Sequence, residues 1–104
     1  MRLEILHVPD CPGAPILEHR LAEVLADNPV AQVVQHEITT QEEAERTGMT
    51  GSPTLLVDGT DPFARPGQQP GISCRLYRDA DGRPGPAPSV TQLHGVLDAR
   101  AAGA

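Results

Sequence analysis

Short apolar segments with strand character alternate with helix-type patterns along this chain, and their order restricts the fold more than any other feature. Residues 3–8, 30–38, 54–57 and 72–78 predict four strands. Helices are predicted between the first three strands and after the fourth. A helix that joins two strands favours parallel pairing, whereas consecutive strands favour antiparallel pairing. The order β-α-β-α-β-β-α therefore predicts an α/β domain with a central mixed sheet of about four strands and flanking helices.

Each predicted helix is marked by signals for its start or its end. The first helix follows a proline-containing loop and carries an apolar stripe over residues 17–25, which ends at the Asn-Pro pair 28–29. Capping boxes at residues 40–43 and 89–92 predict the starts of the second and the last helix. Gly48 suits the residue after the second helix, since glycine adopts the left-handed conformation readily.

The chain length of 104 residues predicts a single domain over residues 1–104. Eleven prolines and ten glycines are many for this length, and they concentrate in the second half. A Pro/Gly-rich loop insertion is therefore expected at about residues 59–71. This loop is either disordered or a lid over Cys11 that sets substrate selectivity.

The charge balance and the aromatic content argue against two classes of partner. The net charge is -6, and Phe63 and Tyr77 are the only aromatic residues. A chain without a basic stripe or a stacking platform is not expected to bind nucleic acid. No apolar run reaches the length of a membrane span, so no membrane association is expected. The N-terminus enters a strand pattern directly, which predicts a cytoplasmic protein.

Cys11 is the first candidate for chemistry, because it lies in the loop between the first strand and the first helix. Backbone N–H groups and the dipole at a helix N-terminus stabilise a thiolate and so activate the sulfur. The alternative is a buried and inert cysteine. Cys74, in the predicted fourth strand, is either a second reactive thiol or part of the core. His7 is a candidate base or third soft ligand, or else a structural histidine.

The chain resembles the thioredoxin-like superfamily in three places. Cys11 occupies the strand-to-helix loop, residues 49–55 (Met-Thr-Gly-Ser-Pro-Thr-Leu) resemble the segment with that family's cis-proline, and residues 88–93 resemble the entry to its last helix. The resemblance covers most of the chain except about residues 59–72. It implies that Pro53 is cis and that Ser52 presents its backbone to a bound thiol substrate. The resemblance also implies that Pro12 and Gly13 contact the substrate, together with Ser52 and Pro53.

The loop departs from the dithiol version of that family, because Ala14 stands where the second cysteine would lie. A one-cysteine loop forms a mixed disulfide, binds a soft metal or pairs with a distant cysteine. Within the chain only Cys74 is available, either as a resolving thiol or as a disulfide partner. A bridge to Cys11 requires Cα atoms within roughly 7 Å.

A second resemblance is to short bacterial proteins identified as organomercurial (alkylmercury) lyases. It rests on the Val-Pro-Asp-Cys-Pro opening at residues 8–12 and on the Cys-Arg-Leu-Tyr segment at residues 74–77. That family cleaves a carbon–mercury bond with two distant cysteines and an aspartate. The resemblance implies these roles for Cys11 and Cys74, with Asp10 or Asp61 as the aspartate.

Three functions therefore stay open. The first is a thiol-dependent oxidoreductase that uses Cys11 on a thiol or disulfide substrate, either a small molecule or a protein, with no cofactor. The second is binding of a soft metal ion such as mercury or copper, or cleavage of an organomercurial, through Cys11 and Cys74 with His7 as a third ligand. The third is a redox-inactive thioredoxin-like binding module.

Overall fold

A computed structural model describes residues 1–26 and 32–103 of the protein. It is a mixed α/β structure with three helices. In chain order the elements are β1 (Arg2–His7), α1 (Gly13–Val24), β2 (Gln32–Glu37), α2 (Gln41–Thr47), β3 (Thr50–Ser52), β4 (Thr54–Val57), β5 (Gly71–Cys74), β6 (Tyr77–Arg78), β7 (Pro84–Gly85) and α3 (Val90–Gly103).

β1 is the middle strand of the central sheet, whose order is β2-β1-β4. β2 pairs with it in parallel, as expected for strands joined by a helix, and β4 pairs with it antiparallel. Ile5 of β1 lies opposite Leu55 of β4, and Leu3 lies opposite Val57. These four side chains share one face because paired residues in a sheet point to the same side.

The two faces of the central sheet carry separate hydrophobic clusters. On one face the sheet packs against α1 and α3, and on the other it packs against the short α2. The first cluster consists of Leu3, Ile5, Leu17, Leu21, Leu55, Val57, Ala87, Leu93 and Leu97. The second consists of Leu6, Ile38, Ala44, Met49 and Leu56. Two apolar faces on one short strand explain why β1 is an almost continuous apolar segment rather than an alternating one.

The cap signals of α2 and α3 are confirmed. The Thr40 hydroxyl accepts a hydrogen bond from the Glu43 N–H at 3.1 Å, and Gly48 ends α2 with a φ of 85°. Before α3, the Ser89 hydroxyl accepts from the Gln92 N–H at 3.1 Å, and the Gln92 side chain accepts from the Ser89 N–H at 3.0 Å. These interactions span three residues and are therefore readable in the sequence.

The first helix starts without a side-chain cap, since Pro12 occupies the cap position. It ends at Val24, earlier than the Asn-Pro pair that was expected to end it. That pair lies outside the described residues, as does the predicted start of the second strand at residue 30.

The prediction of one fourth strand over residues 72–78 is wrong. The structure divides this segment into β5, which pairs in parallel with β3, and β6, which pairs antiparallel with β7. The central sheet has three strands among the described residues instead of about four. Arg75 lies between β5 and β6, where its buried side chain turns towards Asp61 in the preceding loop.

The described helices are shorter than the thickness of a lipid bilayer requires. The longest, α3, has 14 residues, whereas a membrane-spanning helix needs about 20. Within residues 1–26 and 32–103, no helix combines the length and the apolar composition that crossing a membrane requires.

Candidate functional site

Cys11 lies in the turn that connects β1 to α1. Its N–H donates to the Val8 carbonyl at 3.3 Å, and its own carbonyl accepts from the Ala14 N–H at 3.3 Å. Asp10, just before it, is exposed and has a φ of 58°, in the left-handed region that aspartate tolerates better than most residues. Cys11 itself is 8% exposed. The turn therefore places the cysteine immediately before the uncapped N-terminus of α1.

Pro53 packs directly onto the cysteine loop. The Ser52–Pro53 peptide bond is cis, as the sequence predicted. A Cβ atom on Gly13 would lie 2.8 Å from Cδ of Pro53 and 2.5 Å from the carbonyl oxygen of Pro86. The Ser52 hydroxyl also accepts a hydrogen bond from the Val8 N–H at 3.0 Å. The structure thus brings four predicted site residues together: Cys11, Gly13, Ser52 and Pro53.

Tyr77, which was not predicted as a site residue, contacts this arrangement through Pro53. Its hydroxyl donates to the Pro53 carbonyl at 2.6 Å, and its side chain is buried. Burial raises the pKa of Tyr77 far above its ordinary value; the charges of Asp61 and Cys11 act in the same direction, and Arg75 opposes them. The phenol therefore stays protonated and able to donate over the whole neutral range.

Arg75 and Asp61 form a buried ion pair beside Tyr77. The guanidinium Nη1 lies 2.7 Å from Oδ2 of Asp61, and the two side chains are 5% and 10% exposed. Arg75 also donates to the Phe63 carbonyl and to the Thr50 hydroxyl, at 2.9 and 3.0 Å. Its guanidinium carbon lies 4.7 Å from the centre of the Tyr77 ring, close enough for a cation–π interaction. The pair fixes the loop of residues 59–71 to the strand region beneath the cysteine.

This loop is therefore ordered where it passes the site. Besides the ion pair, Phe63 contacts Tyr77 edge-on with 5.8 Å between ring centres. The Asp61 carboxylate accepts from the Phe63 N–H at 2.9 Å. These contacts hold Asp61 and Phe63 of the loop against Arg75 and Tyr77.

Cys74 ends β5 and is exposed, so the alternative of a core cysteine is wrong. Its backbone lies opposite Ser52 in the pairing of β3 with β5. Cys11 and Cys74 are both free thiols. The structure thus places Cys74 beside the residue that precedes Pro53, with its side chain at the surface.

A three-ligand metal site at Cys11, Cys74 and His7 is not assembled. Across the described ranges 1–26 and 32–103, no group of three or more histidine, cysteine or acidic side chains is arranged to hold a metal ion. Nδ1 of His7 instead lies 2.9 Å from the Val8 carbonyl, a local contact with the backbone. His7 therefore fits its structural alternative.

The two aspartates considered for a lyase role have different surroundings. Asp61 is held by Arg75 at 2.7 Å, which neutralises its charge. Asp10 is exposed and directly precedes Cys11 in the turn.

Tyr77 and Arg75 were not predicted as site residues. The contact of Pro86 with Gly13 was not predicted either. One signal was present: Arg75 and Tyr77 are two positions apart and both buried, whereas Leu76 between them is 60% exposed. This alternation is typical of a strand with one buried face. A buried arginine is rare enough that the pattern was not interpretable without its partner Asp61.

The arrangement has defined chemical capacities. A thiol before a helix N-terminus can act as a nucleophile towards sulfur. In the segment before Pro53, the Ser52 carbonyl accepts a hydrogen bond from the Arg75 N–H at 2.9 Å. Comparison with family models, with curated proteins and with solved structures finds no match to this chain.

Proposed function

We propose that this protein is a thiol-dependent oxidoreductase with a thioredoxin-like arrangement and that Cys11 is its nucleophile. The observation that carries the proposal is the packing of Pro53 on Gly13, with its ring atom 2.8 Å from where a Cβ would lie. This packing sets the Ser52–Pro53 segment beside the cysteine loop. A docked substrate would meet the sulfur beside Pro53, since the Ser52 carbonyl already accepts a hydrogen bond from the Arg75 N–H at 2.9 Å.

The topology supports the thioredoxin-like part of the proposal. A parallel β1–β2 pair joined through α1, followed by an antiparallel strand directly after Pro53, agrees with the expected order of the core. α1 and α3 pack on one face of the sheet, and α2 packs on the other. The divided fourth strand is the departure from that order.

The proposed reaction is an exchange between a thiolate and a disulfide. The Cys11 thiolate attacks one sulfur of the substrate disulfide, forming a mixed disulfide and expelling the other sulfur as a thiolate. A second thiolate, from a small thiol in solution, then attacks the substrate sulfur of the mixed disulfide. This step releases Cys11 as a thiolate and leaves a disulfide between the small thiol and the retained substrate sulfur. Overall the small thiol is oxidised, and the substrate sulfur expelled in the first step is reduced to a thiolate.

Solution thiol rather than Cys74 is proposed for the second step. Cys74 is a free thiol with an exposed side chain. Cys11, by contrast, is buried and only 8% exposed. The small exposed fraction of Cys11 restricts attack to ligands that dock against its loop.

The test compares the wild-type protein with Cys11→Ser and with Cys74→Ser as the matched control. Each reduced protein is given a small disulfide and excess thiol, and turnover is followed together with the mass of trapped mixed disulfide. We expect Cys11→Ser to abolish turnover above the uncatalysed rate. Cys74→Ser is expected to retain turnover and to trap the substrate on Cys11 alone. Turnover that survives Cys11→Ser would overturn the proposal and favour a redox-inactive binding module.

A further inference from the structure

Tyr77 supports both of the segments that enclose Gly13 in the cysteine loop. Its hydroxyl donates to the Pro53 carbonyl at 2.6 Å. Its backbone lies opposite Gly85 in the pairing of β6 with β7, and Pro86 is the next residue in the chain. Atoms of Pro53 and Pro86 lie 2.8 and 2.5 Å from the position that a Cβ of Gly13 would take. One residue therefore holds two neighbours of this glycine.

Gly13 belongs to the same turn as the nucleophile. The Cys11 carbonyl accepts a hydrogen bond from the Ala14 N–H at 3.3 Å, and Gly13 lies inside the turn that this bond closes. The glycine has no room for a side chain between Pro53 and Pro86. Because close-packed atoms transmit displacements to their neighbours, a shift of either proline changes where the turn can lie. The position of the sulfur therefore depends on the two segments that Tyr77 holds.

The tyrosine ring is itself fixed by its surroundings. The side chain is buried, the guanidinium carbon of Arg75 lies 4.7 Å from the ring centre, and Phe63 contacts the ring edge-on. Arg75 is in turn held by the Asp61 carboxylate at 2.7 Å. Side chains locked by packing and by further hydrogen bonds are the ones that keep a site in a single geometry. The hydroxyl of Tyr77 is therefore a fixed anchor for the Pro53 carbonyl.

We propose that Tyr77 is a positioning residue for Cys11, which it aims at a docked disulfide by holding Pro53 and Pro86 against Gly13. The inference rests on the function proposed above and adds a residue that acts through Pro53 rather than on the sulfur. Loss of the Tyr77 hydroxyl therefore changes the geometry of the attack and leaves the protonation of the thiol as it was. A reagent that needs no docking surface beside Cys11 is affected less than a disulfide.

The experiment compares Tyr77→Phe with Thr47→Val in a Cys74→Ser background, in which Cys11 is the only thiol. Phenylalanine keeps the ring and removes the hydroxyl. Thr47 is the matched control, because its hydroxyl also donates to a backbone carbonyl, that of Glu43 at 2.7 Å, but lies in α2 on the other face of the sheet from α1. The rate constants of Cys11 with 4,4′-dithiodipyridine, a neutral disulfide, and with iodoacetamide, a small alkylating reagent, are measured across a range of pH.

We expect Tyr77→Phe to lower the rate constant with the disulfide about tenfold, since a misplacement of about 1 Å costs up to about a hundredfold. The rate constant with iodoacetamide is expected to stay near that of the background protein. The midpoints of both pH profiles should be unchanged, because the hydroxyl acts on position and not on protonation. Thr47→Val should keep both rate constants, although it loses a hydrogen bond of the same kind.

A double-variant cycle with Gly13→Ala tests the route from Tyr77 to Cys11. Both changes disturb the same contact between Pro53 and Gly13. The fall in the disulfide rate constant of the double variant should therefore be smaller than the product of the two single falls. Independent effects, which multiply, would contradict a route through Gly13.

The positioning role is rejected, with Cys11 still a nucleophile, if Tyr77→Phe keeps the disulfide rate constant of the background protein. Equal falls with the disulfide and with iodoacetamide, equal falls in Tyr77→Phe and Thr47→Val, or a shifted pH midpoint would also reject it. Failure of Cys11 in the background protein to react with the disulfide would instead reject the proposed function, and the positioning role with it.

Discussion

At the scale of single residues, Gly13 shows how closely three separate segments approach one another. Pro53 and Pro86, from two distant parts of the chain, both contact the side of Gly13 where a side chain would project. A Cβ atom there would lie 2.8 Å from Cδ of Pro53 and 2.5 Å from the carbonyl oxygen of Pro86. Contacts this short leave room for glycine alone. Cys11 and Pro53 were predictable because each carries a local signal, but the role of Gly13 depends on a neighbour 73 positions away in the sequence.

Replacing Gly13 with alanine tests this close approach. Because Pro53 or Pro86 must move to admit the methyl group, Gly13→Ala is expected to lower the free energy of unfolding by about 1–3 kcal/mol. Urea denaturation measures the change, and the alkylation rate of Cys11 reports whether the loop has moved.

Gly95→Ala is the matched control, because nothing lies within 4 Å of its Cβ position in α3. This change is expected to stabilise the protein by about 0.5–1 kcal/mol, through the helix preference of alanine. A similar gain for Gly13→Ala would contradict the tight packing of the loop.

At the scale of elements, helix ends were predictable and strand pairing was not. The capping boxes before α2 and α3 act over three residues, so the sequence contains the whole interaction. Arg75, which lies between the two parts of the divided fourth strand, pairs with Asp61, 14 positions earlier. The burial of Arg75 depends on this nonlocal partner, and the loosely alternating pattern over residues 72–78 was therefore interpreted as one continuous strand.

Arg75→Gln tests whether this ion pair holds the loop to the strands. Removing the guanidinium leaves the Asp61 carboxylate, 10% exposed, without its charge partner, and we expect a loss of about 3 kcal/mol. Adding Asp61→Asn to Arg75→Gln should recover part of the loss, because no buried charge then remains. Thermal and urea denaturation of the single and double variants measure both effects.

The control for this prediction is Arg100→Gln, which removes the exposed pair with Asp58. We expect its unfolding midpoint to stay close to that of the wild-type protein. Equal losses of unfolding free energy for Arg75→Gln and Arg100→Gln would contradict the prediction, because the buried pair with Asp61 would then stabilise the fold no more than an exposed pair does.

At the scale of the whole molecule, Asp58 ties the two ends of the fold to the end of β4. Its carboxylate accepts from the Arg2 N–H at 2.8 Å and from Nε of Arg100 at 3.0 Å. The hydrogen bond from the Arg2 backbone lowers the pKa of Asp58 most, and the Arg100 side chain lowers it further. The start of β1 and the last helix are thereby joined through one side chain.

Because the pKa of Asp58 is lowered in the folded state, its carboxylate stabilises the fold above about pH 4, the pKa of aspartate in an unfolded chain. This stabilisation is lost as the pH falls further. Asp58→Asn should therefore be less stable than the wild-type protein at neutral pH and should converge with it in acid. Asparagine also tolerates the φ of 49° at this position. Urea midpoints of both proteins across this pH range measure the effect, and a difference that is constant with pH would contradict it.

The buried tyrosine also makes the site optically visible. Tyr77 is the only tyrosine, and the chain has no tryptophan, so the near-ultraviolet signal of the protein arises almost wholly from a ring beside the cysteine loop. Since burial raises the pKa of this phenol, tyrosinate absorbance in alkali reports opening of the protein around it. Stability is correspondingly lost as the pH rises above about 10, where an unfolded chain ionises first. An intrinsic chromophore thus reports on the surroundings of Pro53, which the Tyr77 hydroxyl contacts, without an added label.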